Sequence, residues 1–416
     1  MSKKLLILGG TSISRQIVYA ARELGFAVYV TDYYADSPCK SLADKSFMVS
    51  CTDVDAVVQL IQDENVDGVI MGYADVLMPY YVQICDKAGL PCYANMYAVE
   101  ETSDKAKFKT LCHEFDIPIV PEYSLADVEC DKVVYPIIVK PVDNSGARGI
   151  YICKNKQEFE VGYVKALSFS RSKKVLIERY ITAPEATIFY YLHEGEIYFL
   201  GIGDRHMLQY SDELLPLPIG YTYPAIQQTS FLKEEDGNIK RMFKSLGMRE
   251  GMVFLQSFVE DGRFIIYEMG YRLTGSLEHH LMEHAYGFNH LKEMLNFAVG
   301  NKVNVSPLKD EHFGDAIFAN VTLLLSEGTI DHFEGVDECK AVPGVLHIHL
   351  SYSDGQVIDK SIMGKLAQVG IRVLLYAENK SQLLERMDAV KDMLRVVSTE
   401  GEDMILKNYS YQEICS

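Results

Sequence analysis

Two stretches of this chain carry residue types at spacings that could do chemistry. The first is Tyr135-Pro136-Ile137-Ile138-Val139-Lys140-Pro141-Val142-Asp143-Asn144-Ser145-Gly146-Ala147-Arg148-Gly149-Ile150. Ile137, Ile138 and Val139 read as a buried strand ending in Lys140. A small polar loop with two glycines follows, and then a second short apolar run, Ile150-Tyr151-Ile152. Backbone N–H groups in such a loop can approach phosphate oxygens unobstructed, and a lysine at the strand end supplies a point charge. An ordinary hairpin would have the same composition, so the loop alone leaves both readings open.

The second stretch runs from Gly251 to Arg272 and reads as a hairpin around Glu260-Asp261-Gly262. A three-residue loop there sets Val259 opposite Arg263 and Gln256 opposite Ile266. Gln256 and Glu268 are then diagonal neighbours on one face, roughly 7 Å apart. A glutamate on an apolar strand face is costly unless something satisfies it. A divalent cation would do so, and so would Arg272 four residues on; from the hairpin alone the Glu268–Arg272 ion pair is the simpler expectation. His279, His280 and His284 form a third group, with His280 and His284 on one helix face. They lack the glutamate of a His-Glu-x-x-His zinc motif, so pocket or surface histidines are expected.

The elements that must position these residues follow from periodicity. Leu5 to Leu8 form a compact apolar strand before Gly9-Gly10-Thr11-Ser12. Ile13, Ile17, Ala20, Ala21 and Leu24 recur at helical spacing up to Gly25, and Phe26 to Thr31 is a second strand. The turn lacks the three glycines of a dinucleotide fingerprint. A helix at 54–61, a strand at 67–71 and a helix at about 75–88 continue the alternation, so residues 1–95 read as a doubly wound α/β domain. Ser103-Asp104-Lys105 opens a helix with Phe108, Leu111, Cys112 and Phe115 on its apolar side. A helix at about 157–167, a strand at 174–181, hairpins at 185–202 and 252–269, strands at 316–325, 345–350 and 371–377, and a helix from Ser381 to about Val397 complete the reading.

Composition narrows the classes. The 40 basic and 58 acidic residues leave a net charge of −18, which argues against non-specific nucleic-acid binding. No apolar run is long enough to cross a bilayer, and Leu5-Leu6-Ile7-Leu8 is too short for a signal peptide. The nine cysteines are odd in number and form no Cys-x-x-Cys pair, which suits a reducing cytosol better than a disulfide framework or zinc site. An anionic ligand would need local cations set among glycines in a cleft.

Taken together, these separated motifs resemble the ATP-grasp enzymes, especially the carboxylate–amine ligases and their biotin carboxylase-like relatives. The resemblance covers essentially the whole chain: an N-terminal α/β domain (1–95), a split α+β ATP-binding domain (96–300, with a flap subdomain at about 120–180) and a small C-terminal α+β domain (301–416). It implies that Lys105 and Lys140 bind phosphates of ATP, and that the loop containing Ser145, Gly146, Ala147 and Gly149 closes over the triphosphate. By the same resemblance, the hinge Glu178-Arg179-Tyr180-Ile181 reads adenine, Glu185 takes the ribose hydroxyls, Glu268 with Gln256 holds Mg²⁺, and Arg272 steadies the transferred phosphoryl group or substrate carboxylate. Arg205-His206 lies where the family often contacts substrate. The chain departs from the family twice, with Gln256 where a glutamate is usual and Gly270 where an asparagine is usual.

The implied activity is ATP-dependent ligation of a small-molecule carboxylate to an amine through an acyl phosphate, with free amino acids as default substrates. A purine-pathway or carboxylase-type enzyme and a nucleotide-binding protein without turnover are the rivals. The resemblance also admits a cytoplasmic homodimer.

Overall fold

The computed structural model describes residues 2–143, 149–209, 216–309 and 316–415. The chain begins with a parallel sheet made of β1 (Lys4–Leu8), β2 (Ala27–Thr31), β3 (Lys45–Phe47) and β4 (Gly68–Met71), in the order β3-β2-β1-β4. Leu5 to Leu8 are buried, as expected for a parallel strand covered on both faces. The connecting helices are α1 (Arg15–Glu23), α2 (Val54–Glu64) and α3 (Met78–Ala88). The Gly9-Gly10 turn is closed by Asp32 at the end of β2, whose carboxylate accepts from the Gly10 N–H at 2.8 Å and from Ser37 Oγ at 2.9 Å. Two further helices follow, α4 (Met96–Ser103) and α5 (Lys105–Glu114).

A small antiparallel sheet comes next, with β5 (Ile137–Pro141) between β6 (Tyr151–Cys153) and β7 (Val175–Arg179). Ile137, Val139, Ile177 and Cys153 pack with Phe159 and Ala166 of the helix Lys156–Phe169 to give this unit its own core. The remaining strands are β8 (Glu185–His193), β9 (Glu196–Leu208), β10 (Leu217–Tyr223), β11 (Gly251–Glu260), β12 (Arg263–Gly270), β13 (Ile317–Leu324), β14 (Gly328–Glu334), β15 (Val345–Leu350), β16 (Val357–Ile358), β17 (Val369–Ala377) and β18 (Arg395–Ser398). One eight-stranded sheet runs β12-β11-β8-β9-β10-β13-β17-β15, so strands from before and after residue 300 share it; β16-β14-β18 form a small sheet beside it.

Two local expectations are corrected. The C-terminal helix spans Lys380–Met393, and Val397 belongs instead to β18. The second hairpin turns on two residues, not three: Asp261 and Gly262 both have positive φ (+53° and +76°), and Glu260 faces Arg263. Asp-Gly suits that mirror-image turn because its twist matches the strands.

Candidate active site

Lys105 and Lys140 are brought together by α5 and β5. Asp104 caps α5, its carboxylate accepting from the N–H groups of Ala106 at 2.9 Å and Lys107 at 3.1 Å, which sets Lys105 as the first helical residue. The Lys105 N–H reaches Val142 O, just past β5, at 3.4 Å. Lys105 is buried enough that desolvation lowers its pKa; Glu268 opposes the shift and Lys140 adds to it.

Lys140 is itself only 7% exposed, and its Nζ lies 2.6 Å from Glu178 Oε2. Oε1 of the same carboxylate is 2.6 Å from Lys109 Nζ, which is also 2.6 Å from Glu122. Glu178 loses hydration through burial, but the two ammonium groups outweigh that loss and hold its pKa below the usual range. Its side chain therefore braces the lysines, whatever the hinge backbone does. Lys109 escaped the sequence reading, although it lies four residues after Lys105 and so one turn along the same helix face.

Gln256 and Glu268 are closer than the hairpin pattern placed them. Gln256 stands directly opposite Glu268, because the strands change register between Gln256 and Ser257, where Tyr267 is the extra residue on β12. Such a bulge re-aims side chains: with the two-residue turn alone Gln256 would face Tyr267, and the bulge brings Glu268 opposite it. Glu268 lines a cavity of about 720 Å³ together with Lys105, Asp143, Tyr271 and Asp75. One carboxylate and one neutral oxygen at the edge of this cavity would suit a single Mg²⁺ shared with phosphate oxygens and water.

The expected Glu268–Arg272 ion pair is not formed. Arg272 crosses instead to the N-terminal sheet's loop, with Nε 2.5 Å from Asp75 Oδ1 and Nη2 2.6 Å from Oδ2, while Nη1 donates to Leu273 O at 2.8 Å. The planar fork of arginine suits such a two-pronged carboxylate grip. The guanidinium also lies 5.1 Å from the centroid of the Phe254 ring. Phe254 is paired with Gly270 across the hairpin, and a Cβ at 270 would overlap the ring. The absence of a side chain at 270 is thus filled by Phe254 rather than left as space for a ligand.

In the 178–181 segment, the N–H of Arg179 donates to Pro121 O at 3.0 Å and that of Tyr180 to Pro136 O at 3.4 Å. Of the hinge residues after β7, Ile181 alone keeps an N–H without an acceptor among the described residues. The Arg179 side chain pairs with Glu260 at 2.5 Å. Glu185 Oε2 is engaged by Arg205 Nη1 at 2.6 Å and by the Tyr267 hydroxyl at 2.8 Å. His206 bonds Thr222 Oγ1 at 2.8 Å, and burial pulls its pKa down to about 4. Ser145, Gly146 and Ala147 lie outside the described residues. Gly149 has φ +80°, and a Cβ there would meet Phe169 at 2.7 Å.

The histidines join a larger group. His280 stacks on His347 with ring centroids 3.9 Å apart, and His279 meets His290 edge-on at 5.8 Å. Gln16 of α1 ties His280, His347 and His349 together at 3.2–3.4 Å. His284 packs on Phe318 and Tyr376 instead. Among the described residues no cluster of histidine, cysteine or carboxylate groups has the geometry to hold a metal ion, and no helix is long and apolar enough to cross a membrane.

Comparison with known proteins adds two family matches. Residues 2–76 match the ribonucleotide synthetase preATP-grasp domain, and residues 104–190 match the ATP-binding domain of the carbamoyl-phosphate synthase L chain. The chain is 24% identical to the 2-oxoglutarate carboxylase small subunit of Hydrogenobacter thermophilus over 74% of its own length and 68% of that protein. It is 26% identical to the formate-dependent phosphoribosylglycinamide formyltransferase of Sulfurisphaera tokodaii over 43% of its length, a stretch that spans about half (47%) of that enzyme. The crystal structure of the L-amino acid ligase from Bacillus licheniformis superposes with a TM-score of 0.76 at 19% identity, covering 96% of this chain and 99% of that one.

Proposed function

We propose that this chain, an ATP-grasp protein by its fold and its two family matches, is an ADP-forming ligase that joins a small-molecule carboxylate to an amine. The observation that carries the reading is that Lys105 and Glu268 line one cavity, with Lys140 in the field of Lys105 and Gln256 facing Glu268. Phosphoryl transfer is mostly positioning and charge neutralisation. Lys105 and Lys140 hold the phosphates of ATP, and Glu178 fixes where Lys140 points. Mg²⁺ on Glu268 and Gln256 would supply charge neutralisation between the phosphates.

Arg272, held by Asp75 and Phe254, faces the transferred group. The substrate carboxylate attacks the γ-phosphorus, ADP leaves, and the amine nitrogen attacks the carbonyl carbon of the resulting acyl phosphate. Phosphate departs and the nitrogen gives up its proton, leaving an amide. Relatives with a printed activity act on different substrates, so the acceptor is not inherited from them. A homodimer and the domain limits 1–95, 96–300 and 301–416 belong to the same proposal.

The test is calorimetry of ATP with and without Mg²⁺ on the wild type and on Lys140→Ala, followed by an ADP-release screen over amino-acid pairs. Mg²⁺-dependent binding that is lost in the variant is expected. Absence of binding to the wild type overturns the reading. Binding without ADP release for any pair would favour a nucleotide-binding protein without turnover, a reading that Gln256 and the covered Gly270 support.

A further inference from the structure

Away from the lysines, the eight-stranded sheet carries a second polar layer that phosphate chemistry leaves unused. Cross-strand partners project to the same face. Thr322, Arg372 and His349 are such partners across β13, β17 and β15, and Asn320 and Tyr221 are partners one step along.

Arg372 is 8% exposed, yet its one hydrogen bond runs from Nη1 to Thr322 Oγ1 at 3.0 Å, and it forms no ion pair among the described residues. Glu278, fully buried, accepts from Thr274 Oγ1, from the Tyr223 hydroxyl at 3.3 Å and from Ser276, with no cation paired to it, and burial raises its pKa. The two groups lie within each other's field without forming an ion pair. Asn320 donates from Nδ2 to Ser276 O at 2.5 Å, while its Oδ1 is buried without a donor.

A guanidinium has five donors and no way to shed its charge, so burying it unmatched is costly and calls for an anion. A buried carboxyl can take up a proton instead, but its carbonyl oxygen, like the orphan Oδ1 of Asn320, still accepts from an N–H donor. An unmet cation beside unmet acceptors is the complement of a zwitterion. The other buried arginine of the face, Arg205, is already paired with Glu185, and burial keeps His349 neutral, with its pKa pulled down to about 3. Arg372 is the arginine of this sheet face without a carboxylate, with Arg15 of α1 also in the field of His349, and one strand-held guanidinium suits a carboxylate better than a phosphate dianion.

We infer that Arg372 anchors the carboxylate of the amine substrate, an α-amino acid whose amino group faces Glu278 and Asn320 Oδ1. The inference rests on the ligase reading for its reaction, but not for its binding test. The probes are a set of free L-amino acids, their amides (no carboxylate), their deamino acids (no amine) and inorganic phosphate. Binding to the full chain is measured by calorimetry with and without MgADP.

At least one free amino acid should bind, with its amide and its deamino acid weaker by about tenfold or more, as losing a charged hydrogen bond predicts. Arg372→Met should lower that affinity by a similar factor while leaving MgADP affinity within about twofold. If Arg372→Met does not fold, Arg372→Lys serves, with weaker binding expected because the two-pronged grip is lost. Binding of no amino acid, equal affinity in wild type and variant, or tighter binding of phosphate than of any amino acid overturns the inference. Because binding is also read without nucleotide, a chain that took no MgADP would defeat the ligase reading and still leave Arg372 tested.

Discussion

The lysines around Glu178 and the arginine on β17 are buried alike and satisfied in opposite ways. Lys109 and Lys140 are 5% and 7% exposed and share a carboxylate, whereas Arg372, at 8%, has none. The difference shows where the protein has finished its own electrostatics and where it has left them open. On the proposed reading the phosphate end is assembled in advance, so that a nucleotide would meet lysines already held in place. The β17 end keeps a charge that only a ligand can match. Breaking the finished end should therefore cost stability, and breaking the open end should cost binding alone.

The largest effect is expected from Glu178→Gln, which leaves Lys140 buried without an anion. Removing one partner of a buried pair costs about 3–5 kcal/mol, so chemical denaturation should show a loss in that range, and ATP binding should fall with it. The pH dependence has a definite sign. Glu178 has a lowered pKa in the fold, so its contribution is present above the unfolded carboxylate value of about 4.3 and fades as pH falls through its folded pKa. The variant should lack that part of the acid limb.

The two arginines sharpen the contrast. Arg205→Met strands Glu185, whose Oε2 keeps only the Tyr267 hydroxyl, and should cost about 3 kcal/mol, the low end for a broken buried pair. Arg372→Met removes a charge that nothing in the protein matches and should leave the melting temperature unchanged or raised. If both variants lose stability equally, the distinction between a finished and an open end collapses. Next in size is Gly270→Asn, where the new side chain must displace Phe254. Overpacking of this kind costs about 1–3 kcal/mol, and Phe254→Ala in the same chain should recover most of it.

Much of this contrast could be read from the sequence, and what could not shares one cause. Lys105, Lys140 and the association of Gln256 with Glu268 were legible because strand ends, helix starts and hairpins are local. The register of that hairpin was less legible. Asp261-Gly262 could be read as part of a three-residue loop, and nothing local marks Tyr267 as a bulge. The partners of Arg272 and Glu178 were not legible at all: Asp75 is 197 residues from Arg272, Lys140 reaches Glu178 only across the β5–β7 pair, and Lys109 only once α5 packs beside that sheet. Arg372 falls on the strand read at 371–377, and its want of a partner is a property of the folded sheet.

The buried histidines set the stability of the same region against acid. Burial pulls His280, His290 and His349 down to about 3 and His347 to about 4. They stay neutral in the fold, whereas in the unfolded chain they protonate near 6.5. The unfolded state therefore binds more protons below about pH 6.5, and stability declines from there towards the folded pKa values, by at most about 1.4 kcal/mol per pH unit for each histidine. Melting temperature measured from pH 7.5 to 5 should fall, and His290→Gln should flatten the slope. A slope unchanged in the variant would place the acid sensitivity elsewhere.

The smallest expected effect probes the one place where the finished end is incomplete. Gln256→Glu would set two carboxylates directly opposite each other on β11 and β12. Like charges in facing positions are destabilising on the order of 0.5 kcal/mol, so without a cation the variant should melt slightly lower. Mg²⁺ would reverse that sign, because two carboxylates make a better ligand set than a carboxylate and an amide. The measurement is melting temperature against Mg²⁺ concentration for wild type and variant, read without nucleotide. Crossing curves, with the variant below at zero Mg²⁺ and above at high Mg²⁺, would place the cation between residues 256 and 268. Parallel curves would mean that Glu268 faces the cavity without holding the metal, and the phosphate end would then depend on its lysines alone.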